Sequence, residues 1–519
     1  MPSFLVLTLG CKLNQLESEA ISDTFFLAGF TESGAGNQET KSGEQNTGNY
    51  PAIIVINTCT VTSKADQKAR RVIRKALRDY PESYVIVTGC YAQLNKADLQ
   101  KLGTGCGNRL FIVKKDEIIN LPQYIRGGSA RLSDKLNAFN ISLSQRETNK
   151  HKRLLQNFQT EGLRFKRASI DNRSFTGLLP EKLLSRGKTN RILQAAQNLF
   201  VFNPSRFSQH TRSFLKIQDG CDKHCTYCRI RLARGPSISL AKEEVLSRLR
   251  ILEESHAEAV LTGVNICQYK DCGSGIGLAG LLKYLLEGTK KIAVRLSSLA
   301  PDCVDENIAE VLSNRRIRPH FHLSVQSGSN ETLKRMGRSY SGEIVEKAVN
   351  LLRNAKDDPF IACDIITGFP GEAINDFEQT VSLCQKLDFA WCHVFPYSKR
   401  SGTPAFSFSG AVAETESSRR AQLLINSAKL GKADYVQRWI GREIDVLIEE
   451  SKHLEHKLSP DNDQFHEFSG IMVHGTSENY LKILVKCKGE RISLPGTVVR
   501  CKIVGNMNSC YFDAYADFL

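Results

Sequence analysis

The chain has 519 residues, 41% of them hydrophobic and 24% charged, an ordinary globular balance that excludes collagen-like and wholly disordered chains. At about 150 residues per domain it holds roughly three domains, and no apolar run approaches the ~18 residues of a membrane-spanning helix. Lys and Arg number 70 and Asp and Glu 55, so the net charge of +15 points to a polyanionic partner, nucleic acid first.

The opening segment, MPSFLVLTLGC, lacks a basic stretch before its apolar run and is too short for a signal peptide. A lipoprotein-type cleavage before Cys11 is the alternative. A cytoplasmic protein is expected, and there clustered cysteines mean metal or catalysis rather than disulfides. Residues 1–125 then alternate strand and helix. FLVLTLG, AIIVIN and SYVIVTG are apolar strand runs, separated by the helical patterns LNQLESEAISDTFFLAGF and ADQKARRVIRKALRDY. Ser63 to Asp66 resembles a capping box opening the second helix. This alternation predicts a doubly wound parallel sheet covered on both faces. Residues 31–50 are polar and glycine-rich and read as a surface loop.

Over 126–212 the chain carries 17 Lys and Arg against 5 Asp and Glu, a net of +12. We read 126–211 as a basic linker carrying an insertion. It is either a strap for RNA phosphates or a solvated insertion. From 213 to 400 six strand runs follow, SFLKIQDG, AEAVLTGVN, IAVRLSSL, HFHLSVQSG, FIACDIITGF and WCHVFPYS, the first five each trailed by a helical pattern. They predict an open, partial (β/α)6 barrel with its chemistry at the strands' C-terminal ends. Residues 406–440 read as a linking helix. From 441 five short strands with glycine turns predict a small all-β barrel of a kind often used on nucleic acids. The fold class is therefore α/β, with expected domains over 1–125, 212–440 and 441–519.

Two cysteine sets carry chemistry. Cys221, Cys225 and Cys228 form C-x3-C-x2-C directly after the first barrel strand. A 4Fe–4S cluster has four irons, so three thiolates leave one open. That iron can chelate the amino and carboxylate groups of S-adenosylmethionine, and reduction then releases a 5′-deoxyadenosyl radical. Zinc or unrelated thiols are the alternative. Cys11, Cys59 and Cys90 are distant in sequence but equivalent in position, each ending an apolar strand (LTLGC, VINTC, IVTGC). Strand ends of a parallel sheet converge on one edge, so these three form a second site with an open position, with Gly10 and Gly89 allowing close backbone approach. Three ordinary buried cysteines are the alternative. Tyr227 is placed to pack on the cofactor.

These segments, with GCKLNQLESE, NTCTVTSKADQKAR, VTGCYAQ, KIQDGCDKHCTYC, HLSVQSGSNETLKRMGR, DIITGFPGE and FPYSKRSGTPA, resemble the methylthiotransferase family of radical S-adenosylmethionine enzymes. The C-terminal FSGIMVHGTSENYLKI resembles that family's RNA-binding TRAM barrel. The resemblance covers 1–125 and 212–519 apart from the loop at 31–50. It implies that Cys11, Cys59 and Cys90 hold an auxiliary 4Fe–4S cluster that carries or supplies sulfur, and that Cys221, Cys225 and Cys228 hold the radical cluster. GCK-x-N and NTCTVT are similar to the branch acting on threonylcarbamoyladenosine beside the tRNA anticodon. Isopentenyladenosine in tRNA and an aspartate of a ribosomal protein are the alternative substrates. One S-adenosylmethionine would methylate sulfur and a second would activate carbon 2 of the adenine. By the same resemblance Thr262 and Gly263 meet the methionyl amino group. Arg295, Ser297, Ser298, Gln326 and Ser327 surround the ribose and carboxylate, and Gly368 and Gly371 lie near the adenine. Phe395, Tyr397, Lys399 and Arg400 line the substrate entrance or merely pack a strand end. Ile238 stands where the family usually has a basic residue, which puts one basic contact in doubt. An electron donor and a sulfur source are implied partners, and a monomer is expected. The other ten cysteines read as structural or free thiols. A cobalamin-dependent radical enzyme shares the domain order but usually carries a D-x-H-x-x-G signature, absent here. A non-catalytic RNA-binding protein with zinc sites is the remaining rival.

Overall fold

The three apolar runs near the N-terminus form the centre of a five-stranded parallel sheet. A computed structural model describes residues 2–33, 50–126, 132–139, 199–201, 211–449, 471–487, 495–507 and 511–519. The loop expected at 31–50 and the insertion expected at 126–211 lie largely outside them. Packing divides the chain into two units, Met1–Phe202 and Asn203–Leu519.

In the first unit β1 (Ser3–Thr8), β2 (Thr31–Glu32), β3 (Ile53–Thr58), β4 (Tyr84–Gly89) and β5 (Leu110–Ile112) lie in the order β2-β1-β3-β4-β5. All pairings are parallel. Continuous apolar runs suit such a sheet because both faces are buried. Ile53 and Val55 pack with Phe4, Ile21 and Phe25 on one face. Ile54 and Ile56 pack with Ala69, Ile73 and Leu77 on the other. The order reverses direction between β1 and β3, the position where doubly wound sheets open a crevice at their carboxyl edge. The two expected helices are Lys12–Leu27 and Ser63–Asp79. The cap of the second differs from expectation. Thr62, with extended backbone, accepts from Ala65 N at 3.1 Å, so Ser63 is already inside the helix. Asp66 accepts from the Thr60 hydroxyl at 2.8 Å.

In the second unit all six expected barrel strands form. They are β6 (Ser213–Lys216), β9 (Glu258–Thr262), β10 (Ala293–Leu296), β11 (His320–Gln326), β12 (Phe360–Thr367) and β13 (Trp391–Pro396), with a short hairpin of β7 (Gln218–Asp219) and β8 (Ile238–Ser239) between the first two. The parallel triplets β10-β9-β6 and β11-β12-β13 are joined by parallel bridges Val294–Ile317 and Leu299–Leu323. The linking helix Glu414–Trp439 leads into a closed five-stranded barrel, β14 (Glu443–Ile448), β15 (Ile471–Ser477), β16 (Lys482–Cys487), β17 (Val498–Asn506) and β18 (Ala514–Phe518). Tyr435 and Trp439 of the helix, Phe360 and Ala362 of β12, and Ile444, Ile483 and Ala514 of the barrel share one buried cluster. Core and barrel are thus one folding block.

An ion network reinforces that junction. Glu258 accepts from Arg295 Nε and Nη2 at 2.7 and 3.0 Å and from Arg318 Nε at 2.9 Å, while Arg295 Nη2 also donates to the Ser477 carbonyl of β15 at 3.3 Å. Burial pushes the Glu258 carboxyl up, but Arg295, then Arg318 and Arg212, hold it down at about 2. Removing one member of a buried pair leaves an uncompensated charge. Glu258→Ala is therefore expected to cost about 3–5 kcal/mol and to lower the unfolding midpoint by roughly 5–15 °C. Because the folded pKa lies below the ordinary 4.5, the difference between parent and variant is full above that pH and shrinks as pH falls toward 2. Calorimetric scans across that range check both the size and the sign.

Candidate metal centres

In the first unit the three sequence-selected cysteines follow the carboxyl ends of adjacent strands. Cys11 precedes the helix Lys12–Leu27, Cys59 follows β3, and Cys90 opens the short helix Cys90–Leu94 after β4. Cys59 and Cys90 are buried and Cys11 is exposed. Their turns touch at backbone distance. A Cβ on Gly10 (φ +126°) would lie 2.6 Å from Cys59 Cβ, and one on Gly89 (φ +92°) would lie 2.4 Å from the Thr58 carbonyl oxygen. Only glycine fits both the space and the dihedral. A buried amide network completes the arrangement. Asn14 Nδ2 donates to Asn57 Oδ1 at 3.1 Å and to the Thr58 carbonyl at 3.2 Å, and Asn57 Nδ2 returns a bond to the Asn14 carbonyl at 2.9 Å. The Thr58 hydroxyl donates to the Thr88 carbonyl at 2.5 Å and accepts from Ala92 N at 3.3 Å. Asn14 and Asn57 sit inside the quoted motifs but were not singled out from sequence. Burial pushes the Cys59 thiol up to about 11, and Cys11 and Cys90 add to the rise, against backbone N–H groups of Val61 and Thr60 directed at the sulfur.

In the second unit Cys221, Cys225 and Cys228 occupy the loop inside the β7–β8 hairpin. That loop is tied down along its length. Cys221 N donates to the Gly235 carbonyl at 3.0 Å, Thr226 N to the Met336 carbonyl at 2.9 Å, and Cys228 N to the Cys225 carbonyl at 3.1 Å. Ile230 N points at Cys228 Sγ from 3.4 Å. Burial pushes Cys228 up to about 11, with Cys225 and Cys221 adding to the rise, and it also raises Cys221, to which Cys225 adds. Tyr227 packs edge-on against Phe369, and its hydroxyl accepts from Arg338 Nη2 at 2.6 Å. Arg338 was missed from sequence although it lies in the quoted RMGR stretch. Gln218 was missed too; fully buried, its Nε2 donates to the Asp219 and Gly220 carbonyls and its Oε1 accepts from Asn265 N at 2.8 Å.

The remaining expected positions divide. Thr262 ends β9, and Gly263 lies against Gln218, where a Cβ would stand 2.9 Å from its carbonyl oxygen. Ser297 and Ser298 are half-buried just past β10. Gln326 ends β11 in the left-handed region, at φ +69°. Gly368 N donates to Glu372 Oε1 at 2.9 Å, and the Gly371 carbonyl accepts from Arg335 Nη1 at 3.0 Å. Arg295 is buried and pairs with Glu258 and the Ser477 carbonyl of the barrel. Ser327 Oγ meets Thr380 Oγ1 at 3.2 Å and Ser329 N at 3.2 Å, so it pins the loop to the helix Ile374–Lys386. Arg400 is buried, whereas Phe395 and Lys399 are exposed and Tyr397 donates to the Ala405 carbonyl at 3.1 Å. Of these four, Arg400 alone is buried. Ile238 pairs with Asp219 in the hairpin, a position for an apolar strand residue.

Three of the cysteines read as structural or free do come together. Cys363 on β12, Cys392 on β13 and Cys384 on the helix Ile374–Lys386 are buried with their sulfurs all within 4.8 Å. Neither of the strand-end sets draws in that closely among the described residues. A four-iron cluster is larger than a single ion and needs its ligands farther apart. Soft thiolate donors, three per site, on converging loops with N–H groups facing sulfur, fit such a cluster at both strand-end sets.

A partial parallel barrel with a three-cysteine loop after its first strand defines a radical S-adenosylmethionine enzyme. The comparisons agree. Residues 215–384 match the Radical SAM superfamily and residues 3–106 match the uncharacterized protein family UPF0004. The threonylcarbamoyladenosine tRNA methylthiotransferase MtaB of Treponema pallidum is 35% identical over 97% of this chain and 98% of its own. That of Thermotoga maritima is 31% identical over 86% of this chain and 87% of its own. The tRNA-2-methylthio-N(6)-dimethylallyladenosine synthase of Carboxydothermus hydrogenoformans is 28% identical over 96% of this chain and 99% of its own. The chain belongs to the methylthiotransferase family of radical S-adenosylmethionine enzymes, which use S-adenosylmethionine and two 4Fe–4S clusters. No helix among the described residues is long and apolar enough to cross a membrane.

The tight packing at Gly89 makes a sharp expectation. Gly89→Ala forces the β4 turn away from Thr58, so about half of the chain's iron should be lost while 5′-deoxyadenosine formation persists. Iron and sulfide analysis of the reconstituted variant checks this; a full iron complement would show that the turn tolerates the shift.

Proposed function

We propose that this chain transfers a methylthio group to carbon 2 of threonylcarbamoyladenosine beside the anticodon of tRNA. The observation that carries the reading is the pair of three-thiol sets at strand carboxyl ends, in a chain similar over nearly its whole length to relatives bearing that activity in their names. In this reading residues 1–125 hold the auxiliary cluster on Cys11, Cys59 and Cys90. Residues 212–440 hold the radical cluster on Cys221, Cys225 and Cys228, and 441–519 grip RNA. When bound, the reduced radical cluster with S-adenosylmethionine supplies a 5′-deoxyadenosyl radical. The protein's part is positioning. Gln218 and the β9 end around Thr262 and Gly263 hold the cofactor side of the loop. Tyr227, clamped by Arg338, closes one wall and keeps water from it. Exposed Phe395 and Lys399 offer a stacking surface and a cation to an unpaired loop base. An electron donor and a sulfur source complete the cycle.

Nucleoside mass spectrometry of tRNA from cells with and without the gene tests the substrate. The methylthio form should vanish and threonylcarbamoyladenosine accumulate; an unchanged profile would overturn the substrate assignment. Cys11→Ala should still form 5′-deoxyadenosine yet make no methylthio product. Product from that variant would remove Cys11 from the auxiliary site.

A further inference from the structure

The helix Ser63–Asp79 carries seven Lys and Arg against two Asp. Both acids are already engaged. Asp66 is buried on Thr60, and Asp79 pairs with Arg78 at 2.8 Å. Arg70 is held by the Tyr91 hydroxyl at 2.8 Å. Lys64, Lys68, Arg71, Arg74 and Lys75 are exposed and have no carboxylate partner among the described residues. Arg70, Arg71, Arg74, Lys75 and Arg78, with Gln67, line a shallow groove that contains no acid.

The spacing is ordered. At ~100° per residue, Lys64, Lys68, Arg71, Lys75 and Arg78 fall within an arc of ~80°, one cation per turn along ~21 Å. The opposite face, Ala69, Ile73, Ala76 and Leu77, is buried against the sheet. Like charges three and four residues apart repel, so the row is unfavourable until a polyanion covers it. Its place in the fold supplies direction. The helix starts four residues after Cys59 and runs antiparallel to the strands, so Lys64 stands at the cysteine edge and Arg78 at the far edge.

We propose that this row is a phosphodiester-tracking surface, on which the RNA strand flanking the modified nucleotide runs away from the Cys11–Cys59–Cys90 edge. Regular single cations on one straight helix suit the regular charges of a nucleic-acid backbone and read no sequence. The inference rests on the tRNA reading above.

The test uses the full chain with both clusters reconstituted. Lys64, Lys68, Arg71 and Lys75 are changed together to Gln, which keeps helix propensity. Binding of unmodified tRNA transcript is measured across a salt series. Each lost phosphate contact lowers the slope of log affinity against log salt by ~0.7–0.9, so the slope should fall by roughly 2–4 and affinity at moderate salt by tenfold or more. Iron content and RNA-free 5′-deoxyadenosine formation should match the parent. A control replaces Lys283, Lys290, Lys347 and Lys386, exposed in the second unit, with Gln. Equal loss in the control would mean that net charge alone acts, and would overturn the proposal. An unchanged slope in the row variant, with a parent that binds, would overturn it and leave the tRNA reading standing. A parent that fails to bind tRNA would overturn both.

Discussion

A parallel sheet delivers every strand's carboxyl end to one edge, and both metal centres depend on that constraint. In the first unit it brings three residues spread across 80 positions of sequence into one crevice. In the second it sets the loop after β6 among the ends of β9, β10, β11 and β12. The convergence alone is too coarse to place sulfur atoms. The final approach comes from glycine at positions 10 and 89, where neighbouring turns meet at distances that no Cβ allows. The buried Asn14–Asn57 exchange then fixes the first helix against β3. Geometry at this site is backbone geometry, and it brings an exposed Cys11 beside two buried thiols.

Charge plays a different part in each unit. Around Glu258 two guanidiniums are buried with one carboxylate and the Ser477 carbonyl. Taking those groups from water is costly, and a well-packed apolar junction of similar volume is often as stable. The adjacent cluster of Tyr435, Trp439 and the barrel strands already supplies an apolar junction. What the ion network adds is registry, since Arg295 Nη2 reaches the Ser477 carbonyl only when β15 stands in one position against β10. The C-terminal barrel is thereby held in a defined position on the radical core.

Much of this was readable in the sequence because apolar runs and strand-end cysteines are local signals. The three central strands of the first sheet, six strands of the partial barrel and five of the small barrel were all expected, and so was the linking helix. What escaped detection depends on partners distant in sequence. The pairing of Arg295 with Glu258 spans 37 residues of sequence. Ser327 is turned toward Thr380, 53 residues away. The hairpin strands β7 and β8 are two residues each, shorter than any periodicity can report. The Cys363–Cys384–Cys392 group has no spacing signature because helix and strand residues meet there only after folding.

Net charge illustrates the same distinction between amount and arrangement. Of the overall +15, the segment 126–212 accounts for +12, so composition alone directs attention to the insertion. The helix Ser63–Asp79 adds only +5 by its seven cations and two acids. Yet its acids are sequestered, its cations share one face, and that face begins beside Cys59. Field strength at a surface follows the local imbalance of exposed charge. A modest excess placed in a row therefore defines a path for a polyanion.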